Sequence, residues 1–340
     1  MPTTTQTGCT TSLSPSLTDH FGRRLNYLRL SVTDRCNLRC FYCLPRGFAK
    51  FEEPGDWLTF DEIERVVGAF ARLGVNRVRL TGGEPLVRRD LPDLAARLAR
   101  LPGVADLSLS TNAVRLASQA HALRAAGVRR VNISLDTLKP ERFAAITGGG
   151  RLDKVLDGLM AAKQAGFAPI KINMLALKGV NDDEFEDMLE FCLEQGFTLR
   201  FIETMPVGDA GREASRYYVD LQEVKRRLAR RYELIPGVMP GGGPARYVRV
   251  AGTDLHIGFI TPISQHFCAT CNRVRLAADG ILYLCVGQEH NYELRPLLRA
   301  GVRGTELENA IVNALALKPE RHEFREKPWQ VVRFMSMTGG

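Results

Sequence analysis

Two periodicities alternate along this chain. Strands are predicted over 27–32, 76–80, 104–110, 128–135, 170–177 and 198–202. Between them, apolar residues recur at helical spacing. Ile63, Val66, Val67, Phe70 and Leu73 form one such face, with Thr59 and Glu62 as a capping box ahead of it and Gly74 at its end. Further helices are predicted over 91–101, 116–127 and 182–196, with helical stretches up to 166. Strand–helix alternation points to a parallel sheet with helices outside. Six units fall short of the eight in a closed barrel. The predicted fold is therefore α/β: a partial (β/α)6 TIM-like barrel whose open side is closed by the C-terminal region.

The strands carry an unusual polar pattern. Covered parallel strands normally read as continuous apolar runs. Here Arg29/Ser31/Thr33, Arg77/Arg79/Thr81, Ser108/Ser110/Asn112, Asn132/Ser134/Asp136 and Lys171/Asn173 alternate with apolar neighbours. Period two puts each set on one face. Helix-covered strands have no solvent face, so these sets are expected to enclose a polar cavity. They gather toward the strand ends, where α/β enzymes place their sites.

Beyond 202 the pattern changes to a loop at 206–211, a helix at 219–231 and a Gly/Pro loop at 236–244. Short strands follow at 248–250 and 256–260, then a hairpin over 272–285 turning at Asp279-Gly280, and helices at 294–299 and 306–316. The expected organisation is a flexible tail (1–20), the partial barrel (21–218) and a C-terminal region (219–340) ending in a polar tail.

Composition narrows the class. The 340 residues are 45% hydrophobic and 25% charged, ordinary globular values. No apolar run approaches the ~20 residues of a membrane helix, and the Thr/Ser-rich start is not a signal peptide. The net charge of +8 invites a nucleic-acid reading. Yet no stretch interleaves Lys and Arg with aromatics, and 224–231 reads as a solvated helix face, so the excess charge is available to a small polyanion. Of eight cysteines, six form two triplets, Cys36/Cys40/Cys43 and Cys268/Cys271/Cys285. Cys192 shares a core spacing with Phe185, Met188, Leu189 and Leu193, and Cys9 lies in the tail. Without an export signal, a disulfide framework is not expected; a reducing cytoplasm is.

Three close thiolates with no fourth nearby would leave one iron of a four-iron cluster open for chemistry. A structural zinc site or unmetallated thiols are the competing readings. For the second triplet, zinc with His266 or His256 as fourth ligand stays open. Gly82-Gly83 at a strand end permits close approach of a ligand or backbone. Arg273 and Arg275 share one face of the hairpin strand, which suits bidentate phosphate recognition or an ordinary hairpin surface.

CxxxCxxC followed by Gly82-Gly83-Glu84-Pro85 and six strand–helix units is similar to the radical S-adenosylmethionine (SAM) superfamily. Residues 28–36 and 267–275, with the terminal Gly339-Gly340, resemble its GTP 3′,8-cyclase family, which acts in molybdenum cofactor biosynthesis. The resemblance runs from about residue 20 to the C-terminus. It implies a [4Fe–4S] cluster on Cys36, Cys40 and Cys43, with SAM on its open iron and contacted by Tyr42, Gly83, Ser134 and Met205. It implies a second [4Fe–4S] cluster on Cys268, Cys271 and Cys285 that meets the guanine, and GTP held by Arg29, Arg79, Ser110, Lys171, Arg273 and Arg275, joined by Arg200. The implied lyase reaction takes hydrogen from C3′ of GTP and closes the ribose onto C8. It further implies an electron donor such as a flavodoxin-like protein, a downstream cyclic pyranopterin monophosphate synthase, and no nucleic acid or membrane partner; a homodimer is left open. Ser110-Thr111-Asn112-Ala113 departs from the family's Thr-Thr-Asn-Gly, which puts that loop's geometry in question. The alternatives are a peptide-modifying radical SAM enzyme with an auxiliary cluster, and a zinc-bound nucleic-acid module.

Overall fold

The computed structural model describes residues 16–339 apart from 46, 50, 52 and 53; Cys9, Gly340 and most of the expected N-terminal tail lie outside the described residues. Six strands come first: β1 (Tyr27–Ser31), β2 (Arg77–Thr81), β3 (Asp106–Thr111), β4 (Arg130–Ser134), β5 (Ile170–Leu175) and β6 (Thr198–Ile202). Neighbours pair in parallel throughout. The crossovers carry α1 (Phe60–Arg72), α2 (Leu91–Ala99), α3 (Ala120–Ala125), α4 (Pro140–Thr147) and α5 (Leu152–Gln164), and α6 (Phe185–Gln195) leads into β6. The capping box on α1 forms, with the Thr59 amide donating to the Glu62 carboxylate at 2.8 Å. The outward strand residues Leu28, Leu30, Val78, Leu80, Ile133 and Phe201 bury against Ile63, Val66, Phe70 and the other helix faces in one core. Each such side chain contributes about 1.5–3 kcal/mol.

The remaining chain extends both edges of the sheet. It forms α7 (Gly208–Ala214), α8 (Leu221–Leu228), β7 (Leu234–Gly237), β8 (Arg246–Val250), β9 (His256–Ile260), β10 (Arg273–Leu276), β11 (Ile281–Tyr283) and β12 (Asn291–Glu293), then α9 (Arg295–Arg299), α10 (Gly304–Ala314) and α11 (Met335–Thr338). The strand order is β12-β11-β10-β1-β2-β3-β4-β5-β6-β9-β8-β7. β9 is parallel to β6 and β10 parallel to β1, while β7–β8 and β11–β12 add antiparallel edges. The sheet is an unclosed, partial barrel.

Four expectations change. The stretch expected as a loop at 206–211 enters α7, whose Gly208, Ala210, Gly211 and Ala214 are buried. Its amide at Gly208 and the Arg212 guanidinium both donate to the Val331 carbonyl, at 3.1 and 2.8 Å; these distant contacts override poor helix propensity. The short strands β7 and β12 carry too few alternations to be read locally. The folded body begins before residue 21: Leu17 is 4% exposed and its amide donates to Leu73 O at 3.0 Å, and Asp19 is buried against Arg23. The polar end is not a free tail, since Ser336 and Thr338 of α11 are buried. Cys192 packs in the core beside Met188 and Leu189, although Leu193 is exposed. Among the described residues no helix is long and apolar enough to cross a membrane.

Candidate functional site

The first triplet follows the C-terminal end of β1. Its loop is braced by the start of the Gly-Gly segment: the Gly83 amide donates to Thr33 O and the Glu84 amide to Arg35 O, both at 2.8 Å. A Cβ on Gly83 would lie 2.4 Å from the carbonyl oxygens of Asp34 and Arg35, so no side chain fits there. Cys36, Cys40 and Cys43 line a cavity of about 140 Å³ with Gly83, Ser110 and Asn112. The Leu38 amide donates to the Cys36 sulfur at 3.4 Å and the Asn112 side chain at 3.8 Å. Burial pushes the Cys36 thiol up to about 11 and Cys43 to about 12. Such thiols ionise when a soft metal replaces the proton. Among the described residues, three ligand atoms lie within 4.8 Å of one another only for His266, Cys268 and His322. That group offers zinc-type ligands beside the second triplet, while the three thiols of the first suit a soft metal centre.

Tyr42 and Ser134 also line an adjoining cavity of about 130 Å³, with Asp136, Asn173, Thr204 and Met205. The Tyr42 hydroxyl donates to Asp136 Oδ2 at 2.6 Å, and the Leu175 amide to Oδ1 at 2.8 Å. Burial pushes the Asp136 carboxyl up to about 6. Tyr42 and Ser134 line both cavities, Gly83 the first and Met205 the second, so the four border two adjoining spaces. Met335 of α11 lines both cavities, and the Ser336 amide donates to the Cys43 sulfur. Gly339, at φ +76°, leaves no room for a side chain: a Cβ would sit 2.3 Å from Thr81 Cγ2.

The inner strand faces form registered rows. One joins Arg275, Arg29, Arg79 and Ser108; the next joins Ser110, Asn132, Lys171 and Thr198. Toward the N-terminal ends of the strands, Arg77, Arg79, Arg130, Lys171, Arg200 and Tyr247 surround a cavity of about 200 Å³. Burial, then Arg200, Arg130 and Arg79, hold the Lys171 ammonium at about 7. Burial and Arg273 hold Arg275 at about 10. The Nε atoms of Arg200, Arg273 and Arg275, Ser110 Oγ and Asn173 Oδ1 are buried without a hydrogen-bond partner. Buried polar groups are normally paired, so this interior is built for a polar ligand. The cations occupy the first to third residues of their strands, not the C-terminal ends expected from α/β precedent. Small inner residues such as Ser108 and Gly258 leave the space they fill.

The second triplet lies at the opposite end. Cys268 and Cys271 precede β10, and Cys285 follows the antiparallel β11. Because β10 runs parallel to β1, the two triplets sit beyond opposite ends of one strand pair, separated by five residues at ~3.3 Å each, about 16 Å. Burial pushes the Cys271 thiol up, but Lys318 and Arg273 bring it down to about 7. His322, held at about 4 by burial and His266, is neutral beside Cys268. His256 instead starts β9, with its Nδ1 at 3.0 Å from Asp254 O.

Residues 30–192 match the radical SAM superfamily model, and 197–324 match Molybdenum Cofactor Synthesis C. A GTP 3′,8-cyclase from Ectopseudomonas mendocina is 48% identical over 327 residues, covering 95% of this chain and 98% of that one. This chain belongs to the GTP 3′,8-cyclase family. A GTP 3′,8-cyclase from Paracoccus denitrificans is 46% identical over 339 residues, 98% of each chain. The crystal structure of Streptococcus suis SuiB bound to SAM shares the fold, with a TM-score of 0.61 at 16% identity over 92% of this chain and 77% of that one. Superfamily membership brings a [4Fe–4S] cluster and SAM.

Within this cyclase family the departure at Ala113 is accommodated. Ala113 adopts φ +61°, the left-handed conformation a glycine would take, at about 1–2 kcal/mol. The Thr111 hydroxyl accepts from the Ala113 amide at 2.9 Å, and Glu84 accepts from the Thr111 hydroxyl and the Asn112 amide, both at 2.6 Å. The sequence assigned no individual role to Arg77, Arg130, Glu84 or Thr204. Arg77 was visible in the polar alternation, as were Asp136 and Asn173, but nothing local distinguishes Arg130, which ion-pairs with Asp106.

Proposed function

We propose that this chain cyclises GTP to 3′,8-cyclo-7,8-dihydro-GTP, the first step of molybdenum cofactor biosynthesis. The observation that carries the reading is one polar barrel interior with a thiol triplet at each end and a band of cations between them. Cys36, Cys40 and Cys43 would hold the radical-generating [4Fe–4S] cluster, and Cys268, Cys271 and Cys285 a second one. With SAM bound, the first cluster supplies a 5′-deoxyadenosyl radical. Tyr42, Gly83, Ser134 and Met205 would orient SAM, with Asp136 fixing the Tyr42 ring. Arg29, Arg79, Lys171, Arg200, Arg273 and Arg275 would hold the substrate, with Arg77 and Arg130 completing the charge around its triphosphate. Guanidinium forks suit phosphate oxygens. Gly339 would let the C-terminus close over the reacting atoms and exclude water. The electron donor would be flavodoxin-like, the consumer a cyclic pyranopterin monophosphate synthase, and the setting a reducing cytoplasm. A peptide substrate has no use for this band of cations.

Anaerobically reconstituted, reduced protein given SAM with and without GTP tests the reading. GTP-dependent 5′-deoxyadenosine with an equivalent of cyclised nucleotide is expected. Deoxyadenosine without any altered nucleotide would refute the substrate, and a colourless zinc protein would refute the chemistry.

A further inference from the structure

Three buried cations hold the second triplet from outside, and the proposed reaction uses none of them. Arg23 donates to the Cys268 carbonyl at 3.1 Å and to those of Glu320 and Pro319, and pairs with Asp19 at 2.7 Å. Arg333 donates to the carbonyls of Cys285 and Val286, both at 2.9 Å, and pairs with Glu289 at 2.8 Å. Lys318, 2% exposed, is different. Its Nζ lies 2.7 Å from Leu284 O, 3.1 Å from Arg273 O and 3.7 Å from Cys271 Sγ. All three partners are acceptors and none is a carboxylate. An ammonium offers three donors and no acceptor, so this geometry suits the charged form. A buried charge is expensive unless paired, and the anionic partner within reach is the sulfur of Cys271.

We propose that Lys318 is a positioning residue for the second metal centre, whose ammonium supports the Cys271 thiolate and makes that centre easier to reduce. The proposal rests on the reading that Cys268, Cys271 and Cys285 bind a [4Fe–4S] cluster. Three thiolates leave such a centre net anionic, and reduction adds a further electron. A cation hydrogen-bonded to a ligand sulfur favours the more negative state, one of the ways a protein sets cluster potential. Lys318 also ties the strand bearing Arg273 to the residue before Cys285, so it fixes two arms of the triplet at once.

The test is a redox titration of both centres, followed by electron paramagnetic resonance, in the reconstituted holoenzyme and in Lys318→Met and Lys318→Arg. Iron content is measured alongside. Lys318→Met should keep both centres and lower the midpoint of the second by about 59 mV or more, a tenfold change in its reduced-to-oxidised ratio. The first centre should not move, and Lys318→Arg should restore most of the shift. An unchanged second midpoint in Lys318→Met would overturn the proposal. If Lys318→Met instead loses only the second centre, its recovery in Lys318→Arg supports a need for the charge, and failure to recover overturns it. A wild-type protein with only one centre would overturn the underlying reading as well, so the two failures are distinct.

Discussion

Replacing Lys171 with methionine should make the protein more stable and a poorer host for a triphosphate. Lys171 is the second residue of β5, 6% exposed, with its Nζ 3.4 Å from Tyr247 Oη and 5.3 Å from that ring's centroid. Its ammonium is held at about 7 by burial and the surrounding guanidinium groups, against roughly 10.4 in an unfolded chain. Between those values the unfolded state binds more protons than the native one, so stability rises with pH across that window. At pH 7 the native state gives up about three pKa units, about 4 kcal/mol at 1.36 kcal/mol each. By pH 10 the cost falls below about 1 kcal/mol. Urea midpoints for wild type and Lys171→Met at pH 7 and 9.5 read this difference directly. The variant's advantage should be largest at pH 7 and mostly gone at pH 9.5.

A bound polyanion reverses the shift. If the lysine returns to its ordinary range in the complex, binding takes up a proton above pH 7. The ratio (1 + 10)/(1 + 1) then makes GTP about fivefold weaker at pH 8 than at pH 7 through this group alone. Titration of the nucleotide itself is common to both proteins and cancels in the comparison. Lys171→Met should lose this pH dependence, along with a charge-assisted bond worth about 1.5–3 kcal/mol, roughly 10- to 100-fold in Kd at pH 7. An equal stability gain at both pH values, or unaltered GTP affinity, would refute the reasoning.

Four other outcomes are expected. Gly339→Ala forces a Cβ to 2.3 Å from Thr81 Cγ2; turnover should fall roughly 100-fold, as for a ~1 Å misplacement, with the unfolding midpoint unchanged, and full activity would sink the idea that the C-terminus seats there. Gly83→Ala pushes against the carbonyls of Asp34 and Arg35, so iron content should drop to that of the second centre alone; a full iron complement would contradict this. Tyr42→Phe leaves Asp136 Oδ2 without its donor, and calorimetry should find SAM binding weakened by about 1–3 kcal/mol; unaltered binding would remove Tyr42 from the site. Ala113→Gly relieves about 1–2 kcal/mol of backbone strain but loses about 0.8 of methyl burial and about 0.4–1 of unfolded-state entropy; a change in denaturation free energy beyond about 2 kcal/mol in either direction would show the loop is not as drawn.

Much of this was legible because strand residues answer to one neighbour at a time. Arg29, Arg79, Ser110, Lys171 and Asn173 announce an inward polar face through period two alone, and the Thr59–Glu62 box is readable from four residues. Choices made at long range were not. Nothing near Arg273 says that its strand will lie parallel to β1, and that pairing decides which end of the barrel the second triplet occupies. The sequence 206–211 reads as a loop until Val331 arrives from the C-terminal segment. Lys318 sits in a polar stretch that looks solvated, yet it is among the most completely buried side chains.

The same long-range pairing explains why the interior tolerates its charge. β10 and β9 flank the six-strand core in parallel, so the inner face widens while the outer face keeps an unbroken apolar seam under the helices. Arg200, Lys171, Arg273 and Arg275 lie buried on that inner face, where each lowers the stability of the free protein by repelling the others. The apolar outer layer offsets this, and a polyanion placed among them adds attractive terms that outweigh the mutual repulsion. A ligand that binds only the native state stabilises it by RT ln(1 + [L]/Kd), about 2.7 kcal/mol at a hundredfold excess over Kd. The repulsion among these cations is therefore a store of binding selectivity: a neutral ligand of the same shape offsets none of it, and each phosphate charge attracts several cations at once.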